Sequence, residues 1–238
     1  MSASAAAPDP AARPDPARRS GAATAAPADA STIDAAAVRT ALRRCQVIVE
    51  RHARYLTRLD TVLGDGDHGD NLVIGFRAVV ALLDELPAET LPGELLQAVG
   101  HRLVAAVGGA SGPLYGTAFL EAGVRADDRP VLDPPRIAAM LRGAADGLAR
   151  RGRCTVGDKT ILDTLAPAAA ELAGALETGM PIRPAWAAAV QAAAAGARST
   201  RPLVARRGLA LRLGERSVGH LDPGAVSCLL LLRALGGR

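Results

Sequence analysis

The stretch LDTVLGDGDHGDN, residues 59 to 71, sets Asp60, Asp65, Asp67, His68 and Asp70 among Gly64, Gly66 and Gly69. If the carboxylates of Asp60, Asp65 and Asp67 stood about 5 Å apart, each pair would cost roughly 3 kcal/mol at an effective dielectric near 20, and the three about 10 kcal/mol. That rivals the stability of a whole domain, so the acids either point apart into water or surround a cation. Hard oxygen ligands on a tight glycine turn suit Mg²⁺, which keeps some waters and shares itself with substrate phosphates. The other reading is a solvated acidic loop, with His68 a loop residue and Asp70 and Asn71 capping the next helix.

The Gly64, Gly66, Gly69 spacing also matches a dinucleotide fingerprint, and Asp84 follows at about the right distance. That motif needs a preceding strand, whereas LTRLDTVL continues a helical pattern, and Asp65 and Asp67 would repel a bare pyrophosphate. A calcium-binding EF-hand fails too: its third ligand position is Gly69, and its obligatory glycine is Asp70.

Three further segments combine glycine with polar residues ahead of a helix. VGGASGPLYG offers Ala110 and Ser111 before Pro113, where exposed amides attract phosphate or where glycine serves only close packing. RGRCTVGDKT is a near miss for a P-loop: Gly152 and Gly157 are correctly spaced, but Asp158 stands where lysine belongs. Lys159 and Thr160 then begin a helix, able to hold a phosphate or to cap it. GERSVGHLDPG holds Ser217, His220 and Asp222, too crowded for a hydrolytic triad and without a nucleophile elbow. Asp222, Pro223 and Gly224 read as a capped helix start.

The elements that must position these segments are helices. Val38, Leu42, Cys45, Val49, His52, Leu56, Leu59 and Leu63 form one face of a long helix that ends at the acidic turn. Further helical stretches cover Leu72 to Leu86, Gly93 to Val107, Gly112 to Val124, Pro135 to Arg150, Lys159 to Leu176, Pro184 to Arg198 and Pro223 to Leu235. This predicts eight helices with no strand alternation. In an antiparallel bundle every second connection lies at the same end, so the four polar loops could converge on one ligand.

Composition agrees. Aromatics make up only 2% of 238 residues, and an alanine- and leucine-rich core suits packed helices better than sheets. The formal charge of +4 permits an anionic partner, but scattered arginines without interleaved aromatics argue against nucleic acid. Cys45, Cys154 and Cys228 are too far apart for a zinc site and read as reduced thiols of a cytoplasmic protein. The apolar run AVSCLLLLRAL is about half a bilayer crossing, which argues against a membrane span. Residues 1 to 31, rich in Ala and Pro, read as a disordered tail; a folded domain over 32 to 238 begins at Ser31 and Thr32 as caps. Arg18 and Arg19 have no apolar stretch after them of the kind an export signal needs.

Taken in order, LDTVLGDGDHGDN, VGGASGPLYGT, GDKTILDTLAP and LGERSVGHLDPGA resemble the L subunit of dihydroxyacetone kinase and the equivalent C-terminal domain of single-chain dihydroxyacetone kinases. The resemblance implies an all-α fold, an eight-helix antiparallel up-down barrel with a nucleotide site at one end. It implies that Asp60, Asp65 and Asp67 hold two Mg²⁺ ions on the phosphates of ADP or ATP. It implies too that His68, Gly69, Asn71, Ala110, Ser111, Gly152, Thr160, Asp222, Pro223 and Gly224 line the nucleotide.

A free-standing L subunit resembles the phosphotransferase-system type. That implies a K-type subunit carrying dihydroxyacetone, and a phosphohistidine protein that recharges bound ADP; a homodimer is compatible with this. Two positions depart from the family pattern. Leu209 replaces a nucleotide-side arginine, and Ile74 stands where an arginine often follows the acidic turn. Kinase action on another small ketose or polyol, and a non-catalytic ADP-sensing regulator, are the alternative functions.

Overall fold

The computed structural model describes Met1 and residues 33 to 237. The stretch read as a tail, Met1 apart, and the caps expected at Ser31 and Thr32 lie outside the described residues. Among the described residues eight α-helices follow one another: α1 (Ala35–Leu63), α2 (His68–Glu85), α3 (Pro92–Ala106), α4 (Ser111–Ala126), α5 (Pro134–Gly152), α6 (Leu162–Glu177), α7 (Ile182–Ser199) and α8 (Pro223–Leu235). A 3₁₀ segment, Leu209–Ser217, lies between α7 and α8. Two short strands that periodicity did not predict, β1 (Ile33–Asp34) and β2 (Val131–Leu132), pair antiparallel with Ile33 opposite Leu132. At two residues each they are too short to show alternation.

Each helix packs along the next, and α8 returns to pack on α1, so the ring closes. The closing seam is hydrogen-bonded as well as apolar: Arg44 of α1 donates to the last carbonyls of α8, Ala234 O at 2.8 Å and Leu235 O at 3.2 Å. Both belong to the last turn, whose carbonyls the helix itself does not satisfy, and Ala234 O also accepts Gly237 N at 3.1 Å.

The predicted face of α1 holds: Val38, Leu42, Cys45, Val49, Leu56 and Leu63 are buried. Two predicted positions, His52 and Leu59, are only half-buried, and Asp60 is buried beside Leu59. Asp34 caps α1, its carboxylate accepting from Ala37 N at 2.8 Å. Where α7 crosses the first turn of α6, a Cβ on Gly196 would run into Asp163 O, so only glycine allows this approach. The up-down order places the α1–α2, α3–α4, α5–α6 and α7–α8 connections at one pole, and these are the four polar loops.

Candidate functional site

The acidic turn is built by Asp60. Its Oδ2 accepts the backbone N–H groups of Gly66 and Asp67 at 3.0 Å each and of His68 at 3.2 Å, winding the chain around one buried carboxylate oxygen. Gly66 takes a φ of +79°, the left-handed region that glycine occupies without strain. With Oδ2 saturated, Oδ1 remains for an ion. A Cβ on Gly64 would fall on Oδ1, so only glycine there leaves that atom clear.

Carboxylate oxygens of Asp60, Asp65 and Asp67 lie within 4.8 Å of one another. Among the described residues no Lys, Arg or His pairs with any of the three. Partial loss of water raises the Asp67 carboxyl above its ordinary range; the Asn71 side chain lowers it, and Asp65 and Asp60 raise it. Three hard oxygen donors and an uncompensated charge fit Mg²⁺.

Behind the turn lies a buried polar relay. His68 meets Ser111 Oγ through Nδ1 at 3.0 Å and Ser227 Oγ through Nε2 at 2.8 Å. Ser227 donates to Gly224 O at 3.0 Å and meets Tyr115 OH at 2.7 Å. Ser227 has one proton for Gly224 O, Tyr115 OH and His68 Nε2, so the relay has more than one proton arrangement; with that proton on Gly224 O, His68 carries its proton on Nε2 and Ser111 donates to Nδ1. Burial lowers the His68 pKa, against the pull of the Asp60 charge, which favours this neutral ring.

The third loop differs from expectation. Asp163 collects Gly157 N at 2.6 Å and Thr160 N at 2.7 Å, and α6 begins only at Leu162, not at Lys159. Lys159 is not offered to a ligand: its side chain is buried and donates to Thr200 O and His220 O. Thr160 is half-buried and receives Leu162 N on its hydroxyl at 3.2 Å. Gly152, the last residue of α5, packs near the Cys154 sulfur.

Asp222 caps α8 through Ala225 N at 2.7 Å. Burial pushes its carboxyl up to about 7; Ala225 N–H and Lys159 draw it down, and Asp163 and Asp60 oppose them. This turn is the hub of the pole. Pro223 carbonyl approaches the His68 ring, Tyr115 OH lies 3.5 Å from Gly224 O, and the Cα of Gly224 faces Ile161. All four loops therefore meet.

Of the residues singled out in the sequence, Asp60, Asp65, Asp67, His68, Ser111, Asp222, Pro223 and Gly224 are joined by these contacts. Asn71 donates its N–H to Asp67 O at 2.9 Å and places its side chain against Gly108. Ala110 is exposed at the start of α4. Gly69 turns toward α1, where a Cβ would strike Ala53 O, which gives it a packing role. Leu209 and Ile74 are both exposed, at 43% and 54%. Sequence reasoning missed Tyr115, Asp163, Thr200 and Ser227 as parts of the pole, and it took Lys159 for a phosphate-holding or capping residue where the structure buries it on two carbonyls. The one available signal was Ser227, a lone hydroxyl inside the apolar run of α8.

Residues 62–237 match the model of the DAK2 domain family. The chain is 42% identical over 189 residues to the PEP-dependent dihydroxyacetone kinase 2, ADP-binding subunit DhaL, of Listeria innocua, covering 79% of this chain and 87% of that one. It is 39% identical to D-erythrulose kinase of Mycolicibacterium smegmatis, over 76% of this chain but only 31% of that protein. The crystal structure of the dihydroxyacetone kinase of C. freundii superposes with a TM-score of 0.66 at 26% identity, covering 84% of this chain and 34% of that one. The eight-helix ring, the acidic turn and these matches agree, and the chain belongs to the DAK2 domain family.

Proposed function

We propose that this chain is the nucleotide-binding, phosphoryl-transfer subunit of a dihydroxyacetone kinase. The observation that carries the reading is the triad of Asp60, Asp65 and Asp67, gathered within 4.8 Å at a pole built from four loops. Similarity to an ADP-binding subunit supports it. Asp60 Oδ1, Asp65 and Asp67 would hold Mg²⁺, two ions in the full site, and the metal would supply charge compensation for the phosphates of ADP or ATP.

The chain's own part is positioning. The Asp60 carboxylate fixes the turn, neutral His68 orients the Ser111 hydroxyl, and Asp222 sets the start of α8 beside both. Such preorganisation suits phosphoryl transfer, where the protein mainly aligns reactants and offsets charge. A K-type subunit would present dihydroxyacetone, and a phosphohistidine protein of the phosphotransferase system would restore ATP from bound ADP. We place the protein in the cytoplasm; among the described residues no helix is long and apolar enough to cross a membrane.

Calorimetric titration of nucleotide-stripped protein with ADP tests this: binding should require Mg²⁺ and vanish in Asp65→Ala. Binding that survives Asp65→Ala would overturn the metal site. The similarity to D-erythrulose kinase favours a second reading, transfer to a four-carbon ketose, which assay of both ketoses with the K subunit separates. Binding without turnover on either would leave the ADP-sensing regulator, the reading that the exposed Leu209 favours.

A further inference from the structure

Lys159 combines three properties that rarely occur together. Its side chain is only 2% exposed, its backbone is left-handed with φ 62°, and among the described residues it makes no ion pair with a carboxylate. Burying an ammonium group is unfavourable unless hydrogen bonds replace its water. A left-handed backbone is disfavoured for any residue with a Cβ, and such strain persists only where the surroundings over-determine it. The partners of Nζ are two carbonyls, Thr200 O at 2.6 Å and His220 O at 2.5 Å.

These carbonyls stand at opposite ends of the α7–α8 connection. Between them the chain runs out through the 3₁₀ segment and back, with positive φ at Gly208, Gly214 and Gly219. The connection has ties of its own nearer the surface: Gly219 N meets Arg201 O at 2.8 Å, Arg201 Nε donates to Gly219 O at 2.9 Å, Ser217 Oγ takes Ala205 N at 2.8 Å, and Arg207 pairs with Asp158 at 3.3 Å. It is also anchored to the third loop, Arg206 N donating to Asp158 O at 3.1 Å. Thr200 accepts Asp222 N on its hydroxyl at 3.1 Å, and Asp222 in turn caps α8. One ammonium group thus draws together the end of α7 and the residue before Leu221, fixing where the Asp222-Pro223-Gly224 turn begins.

We infer that Lys159 is a positioning residue, a buried clamp that closes the α7–α8 connection and so holds the Asp222 turn against His68, Tyr115 and Ile161. The inference rests on the nucleotide-binding reading for its consequence, not for the clamp. Lys159 touches none of the three acids; its influence reaches the ligand through the α8 start. A lysine serving only the core would matter equally for every part of the pole, whereas a clamp matters for one side of it.

The test uses the full chain with Lys159→Met, which keeps length and apolar stem and removes the donors. In the nucleotide-free protein, amide hydrogen exchange at Arg206, Gly219 and Asp222 should accelerate at least tenfold. Gly66, Asp67 and His68 in the acidic turn should keep their wild-type rates. Mn²⁺ titration without nucleotide should stay within twofold of wild type, while Mg²⁺-dependent ADP affinity falls tenfold or more.

Lys159→Gln, a smaller change at the clamp itself, reports if Lys159→Met fails to fold. Thr200→Val leaves the carbonyl that receives Lys159 but removes the hydroxyl that takes Asp222 N, so it loosens the same turn one bond further on. It should accelerate Asp222 and weaken ADP in the same direction. In the double variant the losses should not add. Unchanged exchange at Gly219 and Asp222 overturns the clamp, as does a uniform acceleration that includes the acidic turn. If wild-type protein binds no ADP, the functional reading fails, and the exchange rates still decide the clamp. If wild type binds ADP and Lys159→Met binds it equally well, the positioning role is overturned.

Discussion

Neutralising Asp65 should strengthen the fold while removing its proposed purpose. Asp65 is exposed and shares the 4.8 Å cluster with Asp60 and Asp67, so two of the three repulsions pass through it. In water, unit charges at that separation repel by about 0.9 kcal/mol, giving about 2 kcal/mol for the two pairs. At an effective dielectric of 20 the sum would approach about 7 kcal/mol, but the exposure of Asp65 selects the lower figure. For a domain of this size about 2 kcal/mol raises Tm by roughly 4 °C or more.

The assay is thermal unfolding of wild type and Asp65→Asn in chelator at low salt, then in Mg²⁺ with ADP. In chelator the variant should melt higher, and the gap should narrow with added salt as the charges are screened. With ligand at about a hundred times its Kd, wild type gains about 2.7 kcal/mol and overtakes the variant, which gains nothing. A variant that melts at or below wild type in chelator, yet is still stabilised by Mg²⁺ and ADP, would refute the argument from repulsion.

Two further outcomes follow from the same pole. Burial holds the Asp222 carboxyl at about 7, above the 3.8 of the unfolded chain, so the unfolded state ionises first. That contribution is complete below about pH 4 and is lost as pH rises through about 7. Asp222→Asn, which keeps a capping side chain, should remove this decline in urea unfolding from pH 4 to 8. Identical pH profiles would mean that Asp222 is ionised throughout. Ser227→Ala leaves His68 Nε2 and Tyr115 OH without their buried partner, and should lower stability by about 1 to 3 kcal/mol in denaturant titration while weakening ADP binding. No change in either measurement would remove Ser227 from the relay.

The helices were legible because burial repeats with the helical period: Val38, Leu42, Cys45, Val49 and Leu56 turn one way by spacing alone. The acidic turn was legible for a different reason, that three carboxylates so close in sequence have few low-energy arrangements. Lys159 was misread because lysine after a glycine turn suggests phosphate, and nothing local reveals that two carbonyls forty-one and sixty-one residues away receive it. Asp163 is a local case: its donors, Gly157 N and Thr160 N, lie only six and three residues back, and by gathering them it delays the start of α6 past the point where helical periodicity begins. Ser227 and Tyr115 became partners only when α8 closed on the ring. Spacing reports what one element does; relays between elements depend on which faces finally meet.

The seam between α1 and α8 bears on how such a unit can be inherited. Because α1 runs toward the acidic pole and α8 away from it, Ile33 and Gly237 both stand away from the nucleotide loops. A neighbouring coding sequence can be joined at that side without crossing the site, and the ring needs no rearrangement to become one module of a longer polypeptide. The same architecture can therefore pass between a separate subunit and part of a fused gene product. The similarity of this chain to both a subunit of comparable length and about a third of a larger kinase has, in this geometry, a steric explanation.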